Sequence, residues 1–307
     1  MPRLTAFLTP TLLLVVAAAA SGQHVVRTAD PAKRGLKESD FPRTTKVADN
    51  IYTYEDFHAG PETFTTTDLF VVTDEGVLVA DGQGGLPQTK GLVDAVARVT
   101  SQPIRYVVIC SDHGDHTAGN DAFPAGVRYL IHPTSKAILA RGNGWKPPAD
   151  TEPVEDHTTF KLGREEIQVL FLGRAHTGGD LSVFLPGRKI LFLSETYLNR
   201  VFPAMRSAYP SEWLRALDRA EAMKADIYIA GHGFTETGPV SREEIRAYHK
   251  ALEAVIAEAT RLHNAGVPVD EAVRQASWGE YASWTLATSQ GPIAVRRVYD
   301  ELDGKLR

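Results

Sequence analysis

The sequence predicts a mixed α/β fold, and three observations point there. Short runs rich in β-branched and aromatic residues alternate with longer runs whose apolar residues recur at helical spacing. One run, Ile104–Cys110 (IRYVVIC), is almost continuously apolar, as in a strand buried on both faces. In addition, Asp68–Asp81 echoes Asp180–Glu195. Each begins Asp-Leu, turns at an acidic or Pro-Gly corner and ends in a carboxylate, which suits a pair of sheets built alike.

Taken in order, Asn50–Phe57 alternates like a strand, and Asp68–Gly82 reads as two strands around a turn at Asp74-Glu75-Gly76. Leu92, Val93, Val96 and Val99 give Leu86–Thr100 a helical period. After Ile104–Cys110, Val127–His132 is another strand, and Pro133 opens a helix. Residues 141–158, rich in Gly, Pro and charge, read as a long surface loop of the kind that borders a site. Strands return over Glu166–Gly173 and Asp180–Glu195. An amphipathic helix starts at Pro210, a strand covers Asp226–Ala230, and Gly231-His232-Gly233 follows. Ser241-x-x-Glu244 reads as a capping box opening a helix with an apolar stripe at Ile245, Leu252, Val255, Ile256 and Leu262. Two more helices are expected near 269–277 and 291–302.

The 307 residues are 43% hydrophobic and carry a net charge of −5, so no global basic field draws in nucleic acid. Arg3, the apolar run Leu12–Ala20 and Ala18-x-Ala20 have the form of a cleavable export signal over residues 1–20. The run is short for a membrane span, and no cysteine follows to carry a lipid, so no stable membrane anchor is expected. Export to a periplasm or the outside follows. Cys110 is the single cysteine and cannot form an internal disulfide, which leaves stability to the core.

Four of ten histidines stand directly after strand-like runs in glycine-bearing loops: His113, His116, His176 and His232. Strand ends with glycine let a ligand approach the backbone. His58 is kept as a residue whose loop overhangs a pocket. The remaining five histidines read as surface or satisfied core groups. Trp145, Tyr197, Phe202 and Tyr209 fall in expected loops, and Trp145 and Tyr197 are candidates, with His58, to line a substrate pocket.

The ordered set resembles the metallo-β-lactamase superfamily, whose His-x-His-x-Asp-His motif follows a buried strand and precedes a distant His, an acidic residue and a last Gly-His. Here the residues read Ser111-x-His113-x-Asp115-His116, then His176, Glu195 and His232, with Asp81 where the family has an early supporting aspartate. The resemblance spans roughly residues 45–235. It implies a four-layer αββα sandwich over 46–240, preceded by an extended segment over 21–45. A helical extension over 241–307 packs on the same domain. It also implies two metal positions: Ser111, His113 and His176 at one, Asp115, His116 and His232 at the other, bridged by Glu195. Thr177 and Asp180 are candidates to orient His176.

Imidazole and carboxylate suit zinc, and three protein ligands with a water form a catalytic site whose water has a pKa near ~7. That water attacks a carbonyl, and Asp115 is the expected catalytic residue, holding the water or passing a proton. Ser111 departs from the family pattern. A neutral hydroxyl is a poor ligand, so one tightly bound Zn2+ is expected at Asp115/His116/His232. A second is expected to bind weakly with Ser111 as a weak ligand or water contact, partly covered by the longer Glu195. Iron and manganese stay open. The function implied is an exported zinc-dependent hydrolase acting on a small-molecule ester, lactone, thioester or β-lactam. The alternative is a degenerate, non-catalytic metal- or ligand-binding member. The tail, with GEYASW and AVRRVYDEL, loosely resembles periplasmic metallohydrolases near quinoprotein systems.

Overall fold

A computed structural model describes residues 26–58 and 63–306; the expected export signal over 1–20 lies outside them. The first half of the fold holds β1 (Arg43–Ala48), β2 (Ile51–His58), β3 (Phe64–Thr73), β4 (Gly76–Ala80), α1 (Leu86–Val99), β5 (Ile104–Ile109), α2 (Gly114–Thr117), β6 (Arg128–Ile131), α3 (Pro133–Arg141) and β7 (Glu152–Pro153). The second holds β8 (His157–Leu162), β9 (Glu165–Phe171), β10 (Leu181–Leu185), β11 (Ile190–Leu198), α4 (Pro210–Ala222), β12 (Ile227–His232), α5 (Gly238–Asn264), α6 (Val269–Gln275) and α7 (Ala287–Leu302).

The strands run β7-β6-β5-β4-β3-β12-β11-β10-β9-β8, with β2 on β3 and β1 on β2. The two halves meet where β12 pairs with β3 through His232 and Thr66. The echo in the sequence is an echo of topology. β3–β4 and β10–β11 are antiparallel hairpins, and each passes to a parallel neighbour, β5 beside β4 and β12 beside β11.

Strand alternation builds the layers, because successive side chains face opposite ways. Leu78 and Ala80 of β4 join Ile190 and Phe192 of β11 in the core between the halves. Val77 and Val79 turn outward to Leu92 and Val96 of α1 and Leu139 of α3. Leu191 and Leu193 face the other way, onto Trp213 of α4, Leu252 of α5 and Val295 of α7. The result is the αββα sandwich with helices on both outer faces. Truncating Phe192 to Ala, at the middle layer, costs about 3–5 kcal/mol.

Four local expectations differ. The 141–158 stretch contains β7 and runs into β8, which alternating exposure along His157–Leu162 marks as an edge strand. Residues 26–42 are not simply extended: they make 3-10 turns at Ala32–Arg34 and Glu38–Asp40, tied down by Arg27 to Glu244 and Arg34 to Glu236. Ser241 is not an N-cap, since α5 begins at Gly238 with Pro239 in its first turn. The Ser241 hydroxyl instead receives Tyr228 N–H at 2.8 Å, and Glu244 pairs with Arg27 and Arg200.

Candidate metal centre

The site lies at one end of the sandwich, where strand ends of both halves come together. The chain leaves β5 through Cys110 and Ser111, and Leu181 N–H, opening β10, donates to Cys110 O at 2.9 Å. His113 is extended, then Gly114–Thr117 make a single helical turn. That turn separates what simple alternation would put on one face. His113 goes to one group of side chains and Asp115 and His116 to another.

Glu195 is presented by a defect in β11. The ladder with β12 is interrupted on both sides of Ser194, which adopts a left-handed φ of 47°. Such a bulge re-aims the next side chain. β12 approaches so closely here that a Cβ on Gly231 would lie 2.6 Å from the Ser194 carbonyl carbon, so only glycine fits.

Two groups of donor atoms result, each with its atoms within 4.8 Å of one another: Asp115, His116, Glu195 and His232, and His113, His176 and Glu195. In the first, His116 Nε2 and His232 Nε2 face each other at 3.3 Å. His232 Nε2 lies 3.1 Å from Asp115 Oδ2 and 3.3 Å from Glu195 Oε1. In the second, His176 Nε2 is 2.9 Å from Glu195 Oε1 and 3.1 Å from His113 Nδ1, and His113 Nδ1 is 3.0 Å from Glu195 Oε2. Two ligands ~2.1 Å from one zinc ion in tetrahedral array stand about 3.4 Å apart. These spacings, and a donor set of imidazole and carboxylate without thiolate, fit a divalent cation in each group.

The supporting contacts are unequal. His232 Nδ1 is 3.0 Å from Thr65 O and His116 Nδ1 is 3.2 Å from Asp81 Oδ2, so both rings are held with Nε2 inward. Asp81 also accepts from Cys110 N at 2.7 Å, from Ser111 N at 3.3 Å and from the Ser194 hydroxyl. It thereby ties the ends of β4 and β5 to the bulge. His176 Nδ1 has no partner among the described residues. Thr177 and Asp180 bond each other instead, through Thr177 N and Oγ1 to the carboxylate at 2.7 Å each, and so shape the loop without touching that nitrogen. His113 Nε2 has only Ser207 Oγ at 3.4 Å. Ser111, fully buried, donates its hydroxyl to Glu195 Oε2, and Asp112 turns away to Ser135 Oγ at 2.9 Å.

Electrostatics follow the geometry. Burial opposes charge on His116, but Asp81 and Glu195 outweigh it and lift the imidazole to about 9. Burial likewise opposes charge on His232, and Asp115 and Glu195 lift it to about 10. His113 rises to about 9 on Glu195 against its own burial. For His176 burial wins and the value falls. Burial pushes Asp180 up to about 7 despite the two bonds from Thr177.

Of the pocket candidates, His58 lines a cleft of about 290 Å³ together with His113, Asp115, His176 and Glu195. Its ring stacks on Phe64 at 4.4 Å and its Nδ1 lies 3.3 Å from Thr66 Oγ1. Trp145 and Tyr197 do not join the cleft. Trp145 is buried against Tyr129 in the layer under α1 and α3. Tyr197 is inside β11, not in a loop, and packs on Tyr248 of α5. Phe202 is likewise buried, against Trp278. Aromatic size made these side chains core material once their backbones were fixed. Sequence reasoning missed Arg206 and Gln290, which also line the cleft; neither has a neighbouring motif to announce it.

A sequence profile of the metallo-beta-lactamase superfamily matches residues 64–232. The metallo-beta-lactamase type 2 of Elizabethkingia meningoseptica is 23% identical over 203 residues, 64% of this chain and 80% of that protein. The hydroxyacylglutathione hydrolase of Brucella anthropi is 27% identical over 196 residues, 62% and 73% of the two. In structure, a metallo-beta-lactamase from Pontibacter korlensis superposes with a TM-score of 0.62 at 22% identity, over 69% of this chain and 98% of that one. A stereoselective inverting sec-alkylsulfatase from Pseudomonas sp. gives 0.65 at 16% identity, over 84% and 50%.

Proposed function

The chain belongs to the metallo-β-lactamase superfamily, and on that premise we propose that it is an exported, zinc-dependent hydrolase of small carbonyl compounds: esters, lactones, thioesters or β-lactams. The observation that carries the reading is the position of Asp115. It lines the cleft and at the same time stands 3.1 Å from His232 Nε2 in the better-supported donor group. His116, His232, Asp115 and Glu195 would hold one ion, and His113, His176 and Glu195 a second. A bound zinc ion supplies Lewis acidity and brings the pKa of a coordinated water near neutrality.

The protein's own residues do the rest. His232 and His116 are fixed by Thr65 O and Asp81, so their Nε2 lone pairs stay aimed inward. Asp115, whose carboxyl is held below the usual carboxylate range by His232 and His116 against burial and Glu195, is the group that accepts and passes on a proton at the cleft floor. The cleft volume of about 290 Å³ suits a small substrate and not a polymer. Among the described residues no helix is long and apolar enough to cross a membrane. That agrees with release after removal of the N-terminal signal.

The test is a panel of chromogenic esters, lactones, thioesters and β-lactams, run with zinc, after chelation and after zinc is restored. Turnover that follows zinc supports the reading. Firmly bound zinc with no turnover of any compound favours a ligand-binding role and sinks it.

A further inference from the structure

Part of the cleft wall carries no group that ligates a cation. It comes from the 199–209 loop and from α7, and contributes Ala204, Arg206 and Gln290. α7 lies outside the stretch matched by the superfamily profile.

Arg206 is exposed and is the one permanent cation of the lining. Among the described residues no carboxylate pairs with it. A guanidinium stays charged at any working pH and presents a planar fork matched to a carboxylate or other oxyanion. Gln290 Oε1 is enclosed and has no donor among the described residues. An enclosed acceptor without a donor costs about 1–3 kcal/mol, which a ligand N–H or O–H removes.

The two residues sit on one packed unit. Val201 bridges to Thr285, Phe202 N–H donates to Thr285 O at 2.8 Å, and Arg297 Nε–H donates to Ala208 O at 2.5 Å. Ser207, next to Arg206, reaches His113 Nε2 at 3.4 Å. The loop and helix are therefore fixed to each other and to the donor groups before any substrate arrives, which lowers the ordering cost of binding.

We propose that this loop and α7 form a substrate-selecting arm. Arg206 takes an oxyanion, and Gln290 Oε1 accepts from an N–H or O–H of the same small molecule, whose acyl carbonyl lies toward Asp115 and Glu195. The inference rests on the hydrolase reading of the site and narrows its substrates to anionic acyl compounds that carry a donor.

Three probes separate the parts. N-acetylglycine has a carboxylate, an N–H and an acyl carbonyl. N-acetylsarcosine lacks the N–H, and N-acetylglycinamide lacks the charge. Calorimetry on the zinc-loaded protein is expected to show N-acetylglycine binding about tenfold more tightly than either. Arg206→Ala removes its advantage over the amide, and Gln290→Leu removes its advantage over the sarcosine compound. Zinc stoichiometry and melting temperature stay at wild-type values in both variants. Equal affinity for the three probes, no binding of N-acetylglycine, or preferences that survive both substitutions would overturn the arm. If the binding pattern holds and no ester is ever turned over, the hydrolase reading fails alone. Turnover without the pattern fails only the arm.

Discussion

The two donor groups share Glu195 and lie side by side, yet they are built to different standards. In the group of Asp115, His116 and His232, both imidazoles have their outer nitrogen engaged, by Asp81 and by Thr65 O. In the group of His113 and His176, one outer nitrogen has no partner and the other has a long contact to Ser207. Where a third strong ligand would complete that second group stands Ser111, and its hydroxyl is spent on Glu195 Oε2. Ligand count and orientation thus fall short together. A binding position is a property of the residues behind the ligands as much as of the ligands themselves.

The largest expected effect comes from removing the better-supported group. His116→Ala with His232→Ala should lose the tight zinc and all measurable turnover, read by metal analysis after dialysis and by the substrate panel. Retention of one tight ion would show that the ranking of the groups is inverted. Next, Asp115→Asn should lower kcat by about 10²–10⁴-fold with the fold unchanged. Undiminished activity would remove Asp115 from the mechanism. Ser111→Ala tests the weaker group: it frees Glu195 Oε2 from its donor and should weaken only the second ion, by about 10–100-fold, in a stepwise zinc titration.

The smallest effect is in pH. His116 and His232 are raised from an ordinary 6.5 to about 9 and about 10, whereas His176 is lowered. A raised folded-state value stabilises the protonated folded form. That contribution is whole below about pH 6.5 and is lost as pH rises through about 9 to about 10. Metal-free protein should therefore lose melting temperature over that interval, with the slope reduced in His116→Ala and kept in His176→Ala. Zinc-loaded protein, in which coordination replaces the protons, should not show it.

Much of this was legible in the chain because the signals are local. Ile104–Cys110 reads as a doubly buried strand from seven residues, and His113, Asp115, His116, His176 and His232 each follow a strand with glycine nearby. The echo of Asp68–Asp81 in Asp180–Glu195 foretold two hairpins of the same design. What escaped depends on partners distant in sequence. Ser241 and Glu244 have the form of a capping box, yet Tyr228, Arg27 and Arg200 claim their polar atoms. Tyr197 and Trp145 are polar-tipped aromatics whose burial follows from α5 and α3 packing over them. Arg206 and Gln290 meet at the cleft only because α7 returns to the 199–209 loop.

The seam between the two halves is thin at the site, with a single residue pair, His232 and Thr66, joining β12 to β3. Each donor group draws side chains from both sides of that seam: His113, Asp115 and His116 from the first half, His176, Glu195 and His232 from the second. An ion held there is a clasp as well as a reagent. Under mechanical load the loaded protein should part elsewhere first, and the stripped protein should open along this edge, so the same atoms that define the chemistry also set where the molecule tears.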